Sequence, residues 1–251
     1  MGKKDRMPGT SAAMVPELRL PPGFTPVRLR EQGDAFAHAI AIAGREGAGT
    51  LVHVGRFDLA EFALVLEPEE PLKRARLAFY AGMAALADAL LAYSQPKTLI
   101  SIVWPGALTV NLGLVGGGRL AWPEAIKDDE VPPWLVFGGM LRTSSTGASE
   151  PGLHPGSTAL EEEGFANEAE ELIASFARNF MVALDAWQEE GFASVARNYL
   201  ERLPPETGLE HSIADNGDLL IRRIGKIERR DFLPALQKAD WYDAATKAPR
   251  L

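Results

Sequence analysis

The stretch that most limits what this chain can fold into covers residues 98–122, TLISIVWPGALTVNLGLVGGGRLAW. Residues 99–104 are mostly apolar and β-branched, Pro105-Gly106 punctuates them, and residues 108–112 resume a strand. Asn111-Leu112-Gly113 has turn chemistry. Gly116, Gly117 and Gly118 then leave bare backbone before Arg119. Such a run permits a positive φ and a bulge, or lets a ligand approach the main chain. Both readings stand on spacing alone: a hairpin with a glycine bulge, or an open floor.

Around it the order of elements is mixed. Asp34 is a good N-cap for a helix over residues 35–45, where Phe36, Ala39, Ile40 and Ala43 repeat at helical spacing before Gly47. Residues 50–54 and 61–66 read as strands joined through Arg56-Phe57-Asp58. Residues 72–93 read as one long helix with a stripe of small apolar residues, suited to close packing on a sheet. Residues 134–143 form a strand, and 144–157, rich in Ser, Gly and Pro, a loop and possible lid. Helices follow over 167–189 and 192–203, divided by Gly191 and ended by Pro204-Pro205. Residues 213–222 read as a hairpin about Asn216-Gly217. Residues 232–236 look helical, and Trp241-Tyr242 is expected to pack back.

Composition narrows the chemistry. The chain has 251 residues, 46% of them hydrophobic, which suits one main domain with an appendage. The expected division is a flexible leader over 1–17, a main domain over 18–204 and a small cap over 205–251. With 34 acidic against 26 basic residues the net charge is −8, which argues against a nucleic-acid surface. There is no cysteine, so a thiolate nucleophile, a disulfide and a thiolate metal site are excluded. The four histidines show no ligand spacing. No apolar run reaches membrane-span length, and no apolar segment follows the basic start, so the expected compartment is the cytoplasm, with no membrane partner.

The order of these elements resembles that of the biotin and lipoate protein ligase family. There, a strand ends in Lys-Trp-Pro-Asn-Asp, and a lysine and a glycine follow. Here Trp104 and Pro105 keep the frame, Leu114 stands at the register of the second lysine and Gly117 at the glycine after it. Gly55-Arg56 is similar to the start of the family's Gly-Arg-Gly-Arg loop. Gly138 matches the first glycine of its Val-x-Gly-x-Gly-x-Asn strand. Asp215-Asn216-Gly217-Asp218-Leu219 is similar to the hairpin of its small terminal barrel. The resemblance runs over residues 34–222. It implies an α+β fold, a mixed or antiparallel sheet packed against helices as in class II synthetases, with a small β-rich C-terminal cap.

The resemblance also implies a function: activation of a small carboxylic acid (biotin, lipoate or a fatty acid) with ATP and Mg2+, giving an acyl-adenylate, then transfer to a lysine of a carrier-domain protein. The family lysine lies near carboxylate and α-phosphate, and Leu114 cannot replace its charge. Losing one such charge costs on the order of 3 kcal/mol, roughly a hundredfold in rate. The alternative is therefore a catalytically inactive binding or regulatory protein of the same fold. Arg119 is the best substitute cation, although five residues separate it from Leu114, so the two face opposite ways on a regular strand unless a bulge re-aims one. Arg56, Arg142 and Lys97 are further candidates, each more readily read as a surface charge, Arg56 as a partner of Asp58 or Glu61. The substrate-binding set is thus Trp104, Gly116, Gly117, Gly118, Arg119, Arg56 and Gly138, with no catalytic residue assigned. Trp104, Trp122 and Trp134 suit core packing or an apolar pocket wall. Asp128, Asp129 and Glu130 suit an exposed acidic loop or a Mg2+ ligand set.

Overall fold

The computed structural model describes residues 18–145 and 156–251. The leader, and most of the loop expected over residues 144–157, lie outside them. Seven strands form the main sheet: β1 (Thr25–Leu29), β2 (Thr50–Val54), β3 (Leu59–Leu66), β4 (Ile100–Val103), β5 (Ala107–Val110), β6 (Gly113–Ala121) and β7 (Leu135–Arg142), in the order β1-β2-β3-β7-β6-β5-β4. Only the β1–β2 pair is parallel. Helix α1 (Ala35–Glu46) makes that crossover. Asp34 caps it as the sequence implied, its side chain accepting the Ala37 N–H.

Both faces of the sheet are covered, so its central strands are apolar almost throughout rather than alternating. Helix α1 covers one face through Ala35, Ala39, Ile42 and Ala43, against Val52, Val54, Ala63 and Val136. The other face carries α3 (Ala78–Leu91), α4 (Ala169–Glu190) and α5 (Phe192–Leu200). Its centre is aromatic. Phe137 stacks on Phe176 at 5.5 Å, and Phe62 meets Phe176 at 4.4 Å. Gly82 lets α3 approach, since a Cβ there would lie 2.3 Å from the Phe137 ring.

The single helix expected over residues 72–93 is divided. A four-residue turn, α2 (Leu72–Ala75), precedes α3. Bonds from Leu77 N to Arg74 O and from Tyr80 N to Leu77 O tighten the chain between them. The acidic loop sets this break. Leu72 N and Lys73 N donate to Glu130 O and Asp128 O, and the Arg76 guanidinium forks onto the Asp128 carboxylate at 2.8 and 3.0 Å.

After α5 comes a three-stranded antiparallel sheet of β8 (Glu210–Ile213), β9 (Leu219–Arg223) and β10 (Lys226–Arg230). The Asn216-Gly217 turn joins β8 to β9, and β10 is a strand the periodicity did not signal. Helix α6 (Phe232–Lys238) follows, and Phe232 and Leu236 join the main core. The last residues fold back as a two-stranded strap, β11 (Tyr242–Asp243) and β12 (Ala248–Pro249), with β12 against β6 and β7. Among the described residues no helix is long and apolar enough to cross a membrane.

One buried group makes stability depend on pH. His53 on β2 is 3% exposed, and its Nδ1 has no hydrogen-bond partner. Burial, then the charge of Arg28, lowers its pKa from 6.5 to about 4. The folded state refuses a proton that the unfolded state accepts. This stabilisation is present above pH 6.5 and is lost as pH falls toward 4, by about 3 kcal/mol. Urea unfolding at pH 7 and pH 4 should show that loss, and His53→Asn should remove most of it.

Candidate functional site

The glycine segment decides the geometry of the α1 face. Pairing of β5 with β6 shifts between Leu108–Gly116 and Thr109–Leu114, so Val115 is an extra residue in β6. Gly116 sits at the kink with φ +157°, and a Cβ there would lie 1.9 Å from the Met140 carbonyl oxygen. Val115 turns into the helical core, whereas Leu114 packs with Leu59, Met140 and Trp241 on the opposite side. Beyond the bulge Arg119 points to that same side, its guanidinium carbon 4.4 Å from the Phe36 ring centre and 4.0 Å from that of Tyr242. The odd separation of Leu114 and Arg119 is thus cancelled. Gly138 makes room for this arrangement, because a Cβ there would lie 2.4 Å from the Phe36 ring.

The strap covers the neighbouring backbone. Trp241 lies over Gly117, where a Cβ would come within 2.7 Å of its indole, and its Nε1–H donates to Gly118 O at 3.2 Å. Arg142 donates to Pro249 O at 2.6 Å, while its own Nε is buried without a partner. Burial lowers the Arg142 pKa against the opposing pull of Asp58 and Glu162.

Between the strap, the β2–β3 loop and the start of α1 lies a cavity of about 440 Å3. Its walls are Glu31, Gln32, Gly33 and Asp34 ahead of α1, Arg56, Phe57 and Asp58 from the loop, and Tyr242, Thr246 and Lys247 from the strap. Glu61 and Met140 complete it. Four carboxylates (Glu31, Asp34, Asp58, Glu61) therefore face two cations (Arg56, Lys247). Arg56 is held bidentately by Asp58 at 2.9 and 2.6 Å. This hydrogen bond raises the Arg56 pKa and lowers that of Asp58. Glu61 is 4% exposed, and its Oε1 accepts the Ala35 N–H at 2.8 Å. Burial raises its pKa and the Asp34 charge adds to this, while the Ala35 bond and the charges of Arg56 and Arg119 oppose.

Of the residues singled out in the sequence, Arg56 lines this cavity and Arg119 lies behind its Tyr242 wall. Gly116, Gly117 and Gly138 shape the same face from beneath. Trp104 stands elsewhere: its Nε1–H donates to Tyr80 Oη at 3.2 Å, and with Gly118 it lines a separate cavity of about 290 Å3 beside α6. Asp128 is engaged by Arg76, and no group of three or more His, Asp or Glu among the described residues could hold a metal ion. Sequence reasoning missed Glu61, Met140, Tyr242 and Lys247. Glu61 had a signal, being the one charge in the apolar run from Leu59 to Leu66. Tyr242 was expected to pack back but not at this place, and Lys247 had no signal, since only the course of the strap brings it here.

The fold is that of the biotin protein ligases. A biotin protein ligase-like protein of unknown function from Silicibacter sp. TM1040 superposes with a TM-score of 0.74 at 24% identity, over 88% of this chain and 99% of that one. The apo biotin protein ligase of Aquifex aeolicus gives 0.65 at 13% identity, over 82% and 95%. The same enzyme in complex with biotin and ATP gives 0.61 at 15% identity, over 82% and 94%. The biotin–acetyl-CoA-carboxylase ligase of Paracoccus denitrificans is 29% identical over 234 residues, 85% of this chain and 91% of that protein. The model of the biotin/lipoate A/B protein ligase family matches residues 20–201, and this chain belongs to that family.

The strap is expected to be integral to the fold. Trp241→Ala removes a ring 4% exposed and its bond to Gly118 O. It should cost about 3 kcal/mol or more in urea unfolding.

Proposed function

We propose that this chain binds a small carboxylic acid of the biotin kind, or its adenylate, in the cavity under the strap. The observation that carries this reading is Arg119. It lies on the same face of the sheet as Leu114, five residues further along β6 and directly behind the Tyr242 wall of the cavity, and it makes no ion pair among the described residues. Phe36 and Tyr242 hold it in place, so its unused N–H groups are pre-oriented for an anion. Lys247, also without an ion pair among the described residues, lies at the mouth. Family membership and the biotin-binding and ATP-binding neighbours support the choice of ligand. In the family's chemistry ATP, with Mg2+, supplies the adenylate, and the acceptor is a carrier-domain lysine.

A second reading is a binding or regulatory protein that does not ligate. Two observations favour it. Leu114 replaces the family lysine and is packed against Trp241. The family-matched Arg56 is already neutralised by Asp58. What remains suits one carboxylate better than a triphosphate, whose charge four wall carboxylates oppose.

Isothermal titration with biotin and its non-hydrolysable sulfamoyl adenylate tests the binding. Both should bind, and Arg119→Ala should weaken each by tenfold or more. Heat-silent titrations with both ligands would end the reading. ATP-dependent attachment of labelled biotin to a purified carrier domain separates the two readings. The second expects no label above a no-protein control, and labelling there would defeat it.

A further inference from the structure

We infer that Glu61 is the group by which this cavity reads its ligand: its carboxyl accepts hydrogen bonds from the N–H groups of a cyclic urea or amide head, and so selects such heads over plain acyl chains. The inference rests on the proposed site only for the location of the ligand.

Strand β3 presents Leu59, Glu61, Ala63 and Val65 to the same side. Three are apolar, and the Glu61 carboxyl needs only one of its two oxygens for its structural bond to the start of α1. A carboxyl has about four acceptor positions on two oxygens. Oε1 uses one on Ala35 N–H, the first residue of α1. Oε2 has no partner among the described residues. It is also absent from the sealed, unpartnered side-chain atoms, which are His53 Nδ1, Arg76 Nε and Arg142 Nε. An unpartnered oxygen that is not sealed, on a side chain lining the cavity, opens into that cavity. The other wall carboxylates are differently disposed. Asp34 caps α1, Asp58 holds Arg56, and Glu31 is exposed to solvent. Glu61 is therefore the one buried acceptor on offer.

That acceptor discriminates. A head with N–H donors satisfies Oε2 when water leaves the cavity. An alkyl chain strands the oxygen dry and unpartnered, which is among the larger penalties in recognition. The surrounding negative potential favours donors as well, whereas the ligand's own carboxylate is directed away from Glu61 and toward Arg119 or Lys247.

The test uses the intact protein and ligand heads without a carboxylate. In 1H–15N spectra, 2-imidazolidinone should shift the Ala35 amide, which reports on Glu61 directly, in a saturable way. Its N,N′-dimethyl derivative, which keeps the ring and the carbonyl but lacks N–H, should not. In titrations biotin and desthiobiotin should bind at least tenfold more tightly than lipoate and octanoate, and Glu61→Leu should reduce that ratio to within twofold. The inference is overturned if the dimethyl derivative shifts Ala35 as strongly as its parent, if neither does, or if Glu61→Leu keeps the preference. Should Glu61→Leu not fold, the two ureas on wild-type protein still decide. A shift with 2-imidazolidinone but silence from biotin would end the acid-binding reading and leave Glu61 in its role. Biotin binding untouched by Glu61→Leu would do the reverse.

Discussion

The centre of this sheet is packed on bare main chain. Strands β6 and β7 bring Gly117, Gly118, Gly138 and Gly139 side by side, and each gap left by a missing side chain is filled by a group from another element. Phe36 enters from α1, Met83 from α3, Phe62 from β3 and Trp241 from the strap. A methyl group at any of the four would meet these within 2.7 Å. Close packing at interior density leaves no slack to absorb that. The glycines set how near the helices and the strap come, and hence where Arg119 and the cavity walls stand.

Much of this architecture was legible from residue pattern. Helix α1 with its Asp34 cap, strands β2, β3 and β7, and the helices about Gly191 follow from periodicity and from cap and breaker residues. The divided helix at Arg76 was not legible, because its cause is a loop fifty residues away whose carbonyls and Asp128 reach back to it. Strand β10 escaped because all its side chains are exposed, which removes the alternation that marks a strand. In the site, the resemblance directed attention to Arg119 and the glycines, and the bulge that aligns Arg119 with Leu114 was foreseeable from Gly116 as a condition, not as a position. That Trp241-Tyr242 packs back was legible from its aromatic character, but where it lands was not, since proximity across more than a hundred residues leaves no local trace.

The departures from the family's charge pattern compensate one another only in part. Where the resemblance implies a lysine, Leu114 packs against Trp241. A basic loop shrinks to Arg56, already matched by Asp58. Glu61 is buried in the apolar run of β3, and Arg119 is clamped between two rings. On the proposed reading, such a cavity would favour uncharged and donor-bearing groups over phosphate.

Tyr80, finally, joins parts that order of sequence would keep separate. Its phenol is buried, which raises its pKa. Its oxygen donates to the Gly217 carbonyl and accepts the Trp104 indole N–H, and its ring stacks on Phe232 and meets Tyr199 edge-on. One side chain on α3 therefore pins the β8–β9 turn, helix α6 and the Trp104-Pro105 corner to a common point. The terminal sheet cannot swing away without breaking the Gly217 hydrogen bond and the Phe232 stack together. Its melting is expected to accompany that of the main sheet rather than precede it.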